Sequence, residues 1–379
     1  MNIEIILKEE ERLRMGLEKR SDFEARRMRR YLGMPDLSRQ EGSPIRELVQ
    51  RILKISGMAE LDVITVPEIV PADISFDLFN FPPDHPARSA SDTYYVDKKN
   101  ILRTHTTVMW YYYVNHPAIR ERLQRREAVG SLAYGKVYRK DEIDRRHMNV
   151  FHQIDGWGLR SKSEKLYTTD DLKEILADIA KAIFGADMEY RFNIDSFPYT
   201  DPSVEMEVKN ADGGWVEVLG SGLVHPNVLK SLDIDPEVYN GWAFGFGLER
   251  LAILSMALPD IRLLWSEDPR VKRQLKLGQR HEEVSKYPPI TRDVSFVVGK
   301  DFVPNNYFDL IRDIGGDLVE EVRLLDMYED AEKFGKERVS YTYRIVYRSS
   351  ERTLVSSEVD AIQNEIYKET AEQFKAEVR

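Results

Sequence analysis

The sequence predicts an α+β protein of two folded domains. Strand-like segments crowd one block, residues 132–224, with helical segments flanking them rather than alternating one-for-one. The pattern then restarts after Tyr287 as strand, helix, strand, strand, helix. At 379 residues and 42% hydrophobic, the chain can bury more than one core.

In chain order, residues 3–30 carry charge at helical spacing, and eight basic residues lie between Arg12 and Arg30. Such a run is usually a solvated helix face, and it is also what an arm touching RNA phosphates would need. Ser43 followed by Pro44 predicts a helix start, with the helix running to Met58. Residues 61–70 predict a strand with Pro67 at an edge or bend. Residues 79–95 are turn-rich, and a short strand follows near 99–105. Five strands are predicted within 132–141, 149–159, 190–199, 204–210 and 214–224, with helices near 118–127 and 168–184. Residues 241–258 begin apolar and glycine-spaced and end helical. Residues 259–285 are charged and helix-prone, which suits a linker. From 292 onward the order β-α-β-β-α is that of a ferredoxin-like split βαβ unit, and its last helix is expected to be capped by Ser356 or Ser357. The expected domains are a helical arm over 1–40, a main domain over 41–258, the linker over 259–285, and a small domain over 286–379.

Composition excludes several chemistries. The chain has no cysteine, so it has no disulfide, thiolate zinc site or cysteine nucleophile. Histidines at 85, 105, 147, 152 and 225 match no zinc-ligand spacing. No apolar stretch approaches a membrane span. The net charge of −10 argues against a general nucleic-acid coat, so RNA contact must come from local basic patches, and DNA is not an expected partner. The first sixteen residues lack a signal peptide's apolar core and a transit peptide's acid-poor composition, so a cytoplasmic protein is expected.

Two segments point to phosphate chemistry. Residues 135–159 read as two strands joined by a loop of Arg, Asp, Glu and His. An arginine fork suits a phosphate because it pairs in bidentate fashion and stays charged. An aromatic such as Phe151 can stack on a purine. The same loop alone also reads as a solvated turn. Residues 241–250 place glycines at 245 and 247 ahead of Arg250 at the head of a helix, where backbone can approach a ligand and phosphate is favoured. Glycine for packing and an ordinary helix arginine read equally well.

Together these segments carry a resemblance. HPAR (85–88), LRTHT (102–106), YRKDEIDRRH followed by FHQ (138–153), FPYTDPS (197–203), WVEVLGSGLVHPN (215–227) and GWAFGFGLER (241–250) follow the order and rough spacing of the phenylalanyl-tRNA synthetase catalytic domain, a class II aminoacyl-tRNA synthetase fold with an antiparallel sheet flanked by helices. KYPPITRDVSF (286–296), IGGDLVEEVRLLD (314–326) and YRIVYRSSERTL (343–354) resemble that family's ferredoxin-fold anticodon-binding domain. Both on one chain resembles the monomeric, mitochondrial-type enzyme. The resemblance implies ATP, Mg²⁺, L-phenylalanine and tRNA(Phe) as ligands and an enzyme active as a monomer.

It also implies roles. Pro67 falls on the proline of motif 1. Arg139 holds the α-phosphate and Arg250 the γ-phosphate. Asp141, Arg146, His147, Met148, Phe151 and Glu217 complete the ATP set, with Glu217 also the candidate for Mg²⁺. His105, Thr107, Val108, Met109, Trp110, Gln153, Ile154, Asp155, Phe197, Tyr199, Ala243 and Phe244 form the amino-acid set. Read from its alternation, the strand near 338–350 offers Arg344 and Arg348 as tRNA contacts and Tyr341, Tyr343 and Tyr347 as base-stacking rings, while the same alternation puts half of such a strand inside, so each tyrosine reads more readily as core. Four positions depart from the family pattern: Asp155 replaces Glu, Thr107 replaces Ser, Trp110 stands where a polar Gln is usual, and Tyr199 replaces a second Phe. The competing expectations are a class II ligase for another aromatic amino acid and a non-catalytic tRNA-binding paralogue.

Overall fold

The structure is a computed structural model that describes residues 1–379 except 211, 283–286 and 350. It divides into two compact units. The first holds Met1–Arg139, Val150–Leu258 and Leu275–Arg280, and the second holds Lys140–Asn149, Pro259–Gln274 and His281–Arg379.

The first unit begins with β1 (Asn2–Glu4), α1 (Lys8–Glu18) and α2 (Phe23–Gly33). Leu17, Ala25, Met28 and Tyr31 of these helices are buried. Arginines of the segment pair within the chain: Arg12 with Glu9, Arg14 with Glu10 and Glu68, Arg20 with Asp22, Arg27 with Glu24. The segment is therefore packed on one side, with several of its arginines paired to acids of the same chain.

α3 (Pro44–Leu53) starts as predicted, with the Ser43 hydroxyl accepting the Ile45 N–H. It buries Ile45, Leu48, Val49 and Ile52 at i, i+3, i+4, i+7 spacing. It does not reach Met58. Ile55 is extended and a separate turn, α4 (Ser56–Ala59), carries Met58 into the core. The strand expected over 61–70 is also two pieces, β2 (Asp62–Thr65) and β3 (Ile69–Pro71). Pro67 has no N–H to give a ladder, and it sits in the gap, where its carbonyl and that of Val66 accept from Arg103.

There follow α5 (Ala72–Ser75), β4 (Asn100–Leu102), α6 (Met109–Val114) and α7 (Pro117–Gln124). Next come β5 (Val129–Tyr138), β6 (Val150–Ser161), α8 (Thr169–Phe184), β7 (Tyr190–Phe197), β8 (Thr200–Lys209), β9 (Trp215–Val224), α9 (Pro226–Ser231), β10 (Tyr239–Gly247) and α10 (Leu248–Met256). Eight strands form one sheet in the order β1-β2-β5-β6-β10-β9-β8-β7. β1, β2 and β5 run parallel, and every other neighbouring pair is antiparallel. α8 has a capping box of Thr168 and Asp171, worth about 1 kcal/mol.

In the second unit, α11 (Pro269–Lys272) and a 3-10 turn over Ile261–Trp265 occupy part of the predicted linker. Ile261, Leu264 and Val271 are buried, so these residues are folded rather than free. The linker's end at 283–285 and the boundary at 286 lie outside the described residues. β11 (Ile290–Gly299), α12 (Pro304–Gly315), β12 (Val319–Tyr328), β13 (Arg338–Tyr347), α13 (Ser356–Phe374) and β14 (Glu377–Val378) complete the split βαβ fold, with strand order β12-β13-β11-β14. α13 is not capped by Ser356 or Ser357. Val355 is the N-cap and makes no side-chain bond there, because both serines already lie inside the first turn. Tyr343 and Tyr347 are 1% and 0% exposed, and Tyr341 packs against the same core. Of the two readings of these tyrosines, core packing holds for Tyr343 and Tyr347, and Tyr341 is half-buried against that core. Alternation turns them inward and leaves Arg344 and Arg348 on the other face of β13.

Candidate active site

The site is built on β6. Alternation places Phe151, Gln153, Asp155 and Trp157 on one face of this strand, with His152, Ile154 and Gly156 on the other. β5 ends at Tyr138, so Arg139 begins the connection. Its Nε donates to the Thr104 carbonyl at 2.9 Å, and its guanidinium lies 5.2 Å from the Phe151 ring centre. On the other side, β10 sets Gly247 opposite Gln153, Gly245 opposite Asp155 and Ala243 opposite Trp157. A Cβ at Gly245 would come within 2.4 Å of Asp155 Oδ1, so only glycine lets the carboxylate lie there.

Asp155 is buried, 3% exposed, and accepts from two hydroxyls, Thr106 and Thr107, the latter at 2.8 Å. Burial pushes its pKa up to about 6, against the hydroxyl bonds and the charges of Arg139 and Arg103. His105 is driven the other way, to about 3, first by burial and then by the Arg139 charge. Its Nε2 lies 3.1 Å from the Ser75 carbonyl, which can only accept, so Nε2 carries the hydrogen and the ring is neutral. Among the described residues, His105 Nδ1 and Gln153 Oε1 are buried without a hydrogen-bond partner. These are acceptors facing no donor, which is what an incoming ammonium group would supply.

Aromatic rings wall the same region. Phe197 stacks on Tyr199 at 5.7 Å, Tyr199 meets Phe79 edge-on at 6.2 Å, and Phe81 stacks on His105 at 6.2 Å. Trp110 lies flat on Trp157 at 4.7 Å, with Val108 and Met109 fully buried beside it. The Tyr199 hydroxyl is pushed up to about 12 by burial and then by the Asp155 charge, so it remains a neutral phenol.

Most of the predicted amino-acid set therefore meets in one place: His105, Thr107, Val108, Met109, Trp110, Gln153, Asp155, Phe197, Tyr199 and Ala243. Ile154 and Phe244 do not join it. Phe244 stacks between Trp242 and Phe246 and fills the space over Gly156, on the far face of the sheet. Sequence reasoning missed Thr106, Phe79, Phe81 and Gly245 as a carboxylate seat. Thr106 lay in plain view beside Thr107, whereas the two phenylalanines sit in a turn-rich stretch with no periodicity to mark them.

The ATP set is divided. Arg250 Nη1 donates to the Glu217 carbonyl at 3.2 Å and stands 3.8 Å from its carboxylate, with both side chains about half exposed. Asp141, Arg146, His147 and Met148 belong to the second unit. There Asp144 accepts the N–H of Arg146 and of His147 at 2.6 and 2.8 Å, and His147 Nδ1 at 2.8 Å. The Asp144 bond raises the His147 pKa above 6.5, against partial burial. Its cation is present below that raised pKa and lost as pH rises through it. Arg348 pairs with buried Glu320 at 2.6 Å, which also holds Arg145 at 3.0 Å. Arg344 pairs with Asp293 at 2.8 Å on an exposed surface.

No group of three or more acidic or histidine side chains among the described residues could hold a metal alone. Glu217 fits the other arrangement, in which Mg²⁺ takes one or two carboxylates and the substrate's phosphates.

Arg139 follows β5 beside the buried Asp155, and Arg250 stands in the first turn of the helix after β10; residues 31–275 match the family described as the tRNA synthetases class II core domain (F). Residues 285–379 match the ferredoxin-fold anticodon binding domain. The chain is 39% identical to the phenylalanine–tRNA ligase, chloroplastic/mitochondrial, of Arabidopsis thaliana, covering 82% of this chain and 71% of that one. It is 36% identical to the mitochondrial phenylalanine–tRNA ligase of Mus musculus over 78% and 70%, and 39% identical to the alpha subunit of Proteus mirabilis phenylalanine–tRNA ligase over 62% and 67%. This chain belongs to the phenylalanine–tRNA ligase family.

Proposed function

We propose that the chain activates L-phenylalanine with ATP and transfers it to tRNA(Phe), acting as a monomer. One observation carries the reading. Arg139, fixed by the Thr104 carbonyl, sits where its charge reaches Asp155 and His105. A cation for a phosphate thus stands beside acceptors for an ammonium, within the cluster of aromatic rings formed by Phe79, Phe81, Phe197 and Tyr199.

In the first step a carboxylate oxygen of phenylalanine attacks the α-phosphorus and pyrophosphate leaves. The chain supplies position and charge rather than a nucleophile. Arg139 neutralises the α-phosphate, Phe151 stacks on adenine, and Arg250 takes the γ-phosphate. Asp155 and Gln153 accept the ammonium hydrogens, while Phe197 and Tyr199 flank the ring. Bound Mg²⁺, held through Glu217 and the phosphates, supplies further charge neutralisation. In the second step a terminal ribose hydroxyl of the tRNA attacks the adenylate carbonyl and AMP leaves.

The described residues contain no helix long and apolar enough to cross a membrane. A cytoplasmic setting is part of the proposal.

Phenylalanine-dependent ATP–pyrophosphate exchange by the purified chain is the direct test. Exchange with Phe far above other amino acids is expected. Exchange driven best by another amino acid would overturn the substrate, and none at all would overturn the reading. Arg344→Ala should raise the tRNA KM by about tenfold and leave exchange unchanged. A fall in exchange would remove Arg344 from the tRNA set. Arg348 is a poorer probe, because it shares Glu320 with Arg145.

A further inference from the structure

His152 lies between the two residues of β6 that face the ligands, yet it points to the opposite side. It is completely buried. Its Nε2 accepts the N–H of Leu37 at 2.9 Å. A nitrogen that accepts an amide hydrogen carries none of its own, so the proton of this ring is on Nδ1. Nδ1 lies 2.6 Å from Glu249 Oε1 and therefore donates to it. The same carboxylate also accepts the backbone N–H of His152, at 2.9 and 2.8 Å to its two oxygens. Asp36 Oδ1 stands 3.4 Å from Nε2, but that oxygen already accepts from Ser38.

Glu249 is 3% exposed and sits in the first turn of α10, immediately before Arg250. The His152–Glu249 contact thus joins the strand bearing Phe151 and Gln153 to the helix bearing Arg250. A buried carboxylate is costly unless its lone pairs are filled, and here backbone and imidazole fill them together.

We propose that His152 and Glu249 are a positioning pair for ATP: the imidazole, locked in its Nδ1–H form by the Leu37 amide, holds Glu249 so that Arg250 stands at a set distance from Phe151. The inference rests on the ATP roles given above to Phe151 and Arg250. Neither His152 nor Glu249 touches a ligand.

The tautomer makes the pair testable. Glu249→Gln leaves one oxygen where the carboxylate offered two. Turned toward Nδ1, that oxygen accepts the ring N–H while the amide NH2 opposes the His152 backbone N–H; turned the other way, the NH2 opposes Nδ1–H. One contact is lost in either orientation. His152→Gln places its amide near the Nε2 position and keeps a partner for Leu37, but loses the donor to Glu249. His152→Asn places its amide near Nδ1 and keeps that donor, but leaves the Leu37 amide without its acceptor. The two His152 variants each lose one buried hydrogen bond, so thermal unfolding should move by similar amounts in both.

Exchange kinetics should separate them. Glu249→Gln and His152→Gln are expected to raise the ATP KM at least tenfold, with the phenylalanine KM moving less than threefold. His152→Asn is expected to shift the ATP KM by no more than a third as much. Equal ATP shifts in the two His152 variants, tracking their loss of stability, would show a structural contact only and overturn the proposal. So would equal rises in both KM values. If the unaltered chain shows no phenylalanine-dependent exchange, the ligase reading fails first. If it exchanges normally and the ATP KM of Glu249→Gln is unmoved, the positioning pair alone fails.

Discussion

Arg139→Ala is expected to lower kcat/KM for exchange by about 10³-fold, the usual cost of removing a preorganised donor from developing charge. Thermal stability should change little, because the side chain's bond to the Thr104 carbonyl is one contact on a well-packed sheet. Arg139→Lys is the sharper variant. It keeps the charge but loses the planar fork, so it can satisfy either the Thr104 carbonyl or a phosphate and not both in the same geometry. Its loss should approach that of the alanine variant. Near-normal exchange in Arg139→Lys would mean that charge alone matters and that the fork anchored by Thr104 plays no part.

Asp155→Asn is expected to raise the phenylalanine KM by roughly 30-fold or more, the scale for removing one partner of a buried charged hydrogen bond. The unaltered enzyme carries a related signature. Its carboxyl has a pKa raised to about 6 in the folded chain. Below that value the carboxyl is neutral and cannot balance an ammonium, so the phenylalanine KM should climb as pH falls through about 6. The asparagine variant should show no such climb. The sign for stability is opposite. A carboxyl whose folded pKa lies above 3.8 is destabilising once ionised, and that cost grows between 3.8 and about 6. Asp155→Asn should therefore melt higher than the unaltered chain at pH 8, with the difference fading toward pH 4. A variant that is both weaker for phenylalanine and less stable at pH 8 would mean that the carboxylate serves the fold and not the ligand.

Much of this protein can be read before its structure is known. The pattern marks six of the eight strands of the large sheet, missing β1, which begins a run read as helical, and β10, whose glycine spacing hides a strand; the restart after Tyr287 marks the second fold, because burying one face of a strand or helix leaves a repeat of 2 or 3.6 in the chain. The polar segments LRTHT and FHQ and the glycines of GWAFGFG are also plain, since their types are unusual within apolar strands. Their pairing is less so. Asp155 looks like a shortened ammonium ligand in the sequence; in the fold two threonine hydroxyls hold it and Gly245 makes room for it. The arginines of residues 12–29 read either as a solvated helix face or as an RNA-touching arm; in the fold Arg12, Arg14, Arg20 and Arg27 are met by acids of the same segment and by Glu68.

The sequence by itself determined the class of fold, the family, and which residue types reach the ligands. These follow from local pattern and from motif order along one chain. Only the tertiary structure decided which face each residue takes and what meets it there. It turned Tyr343 and Tyr347 inward, set Phe244 on the far face of the sheet, brought Phe79 and Phe81 against Tyr199 and His105, and gave His152 to Glu249 rather than to a ligand. The reason is physical. Strand register and sheet order join residues scores of positions apart, and a one-residue difference in register exchanges the two faces of a strand.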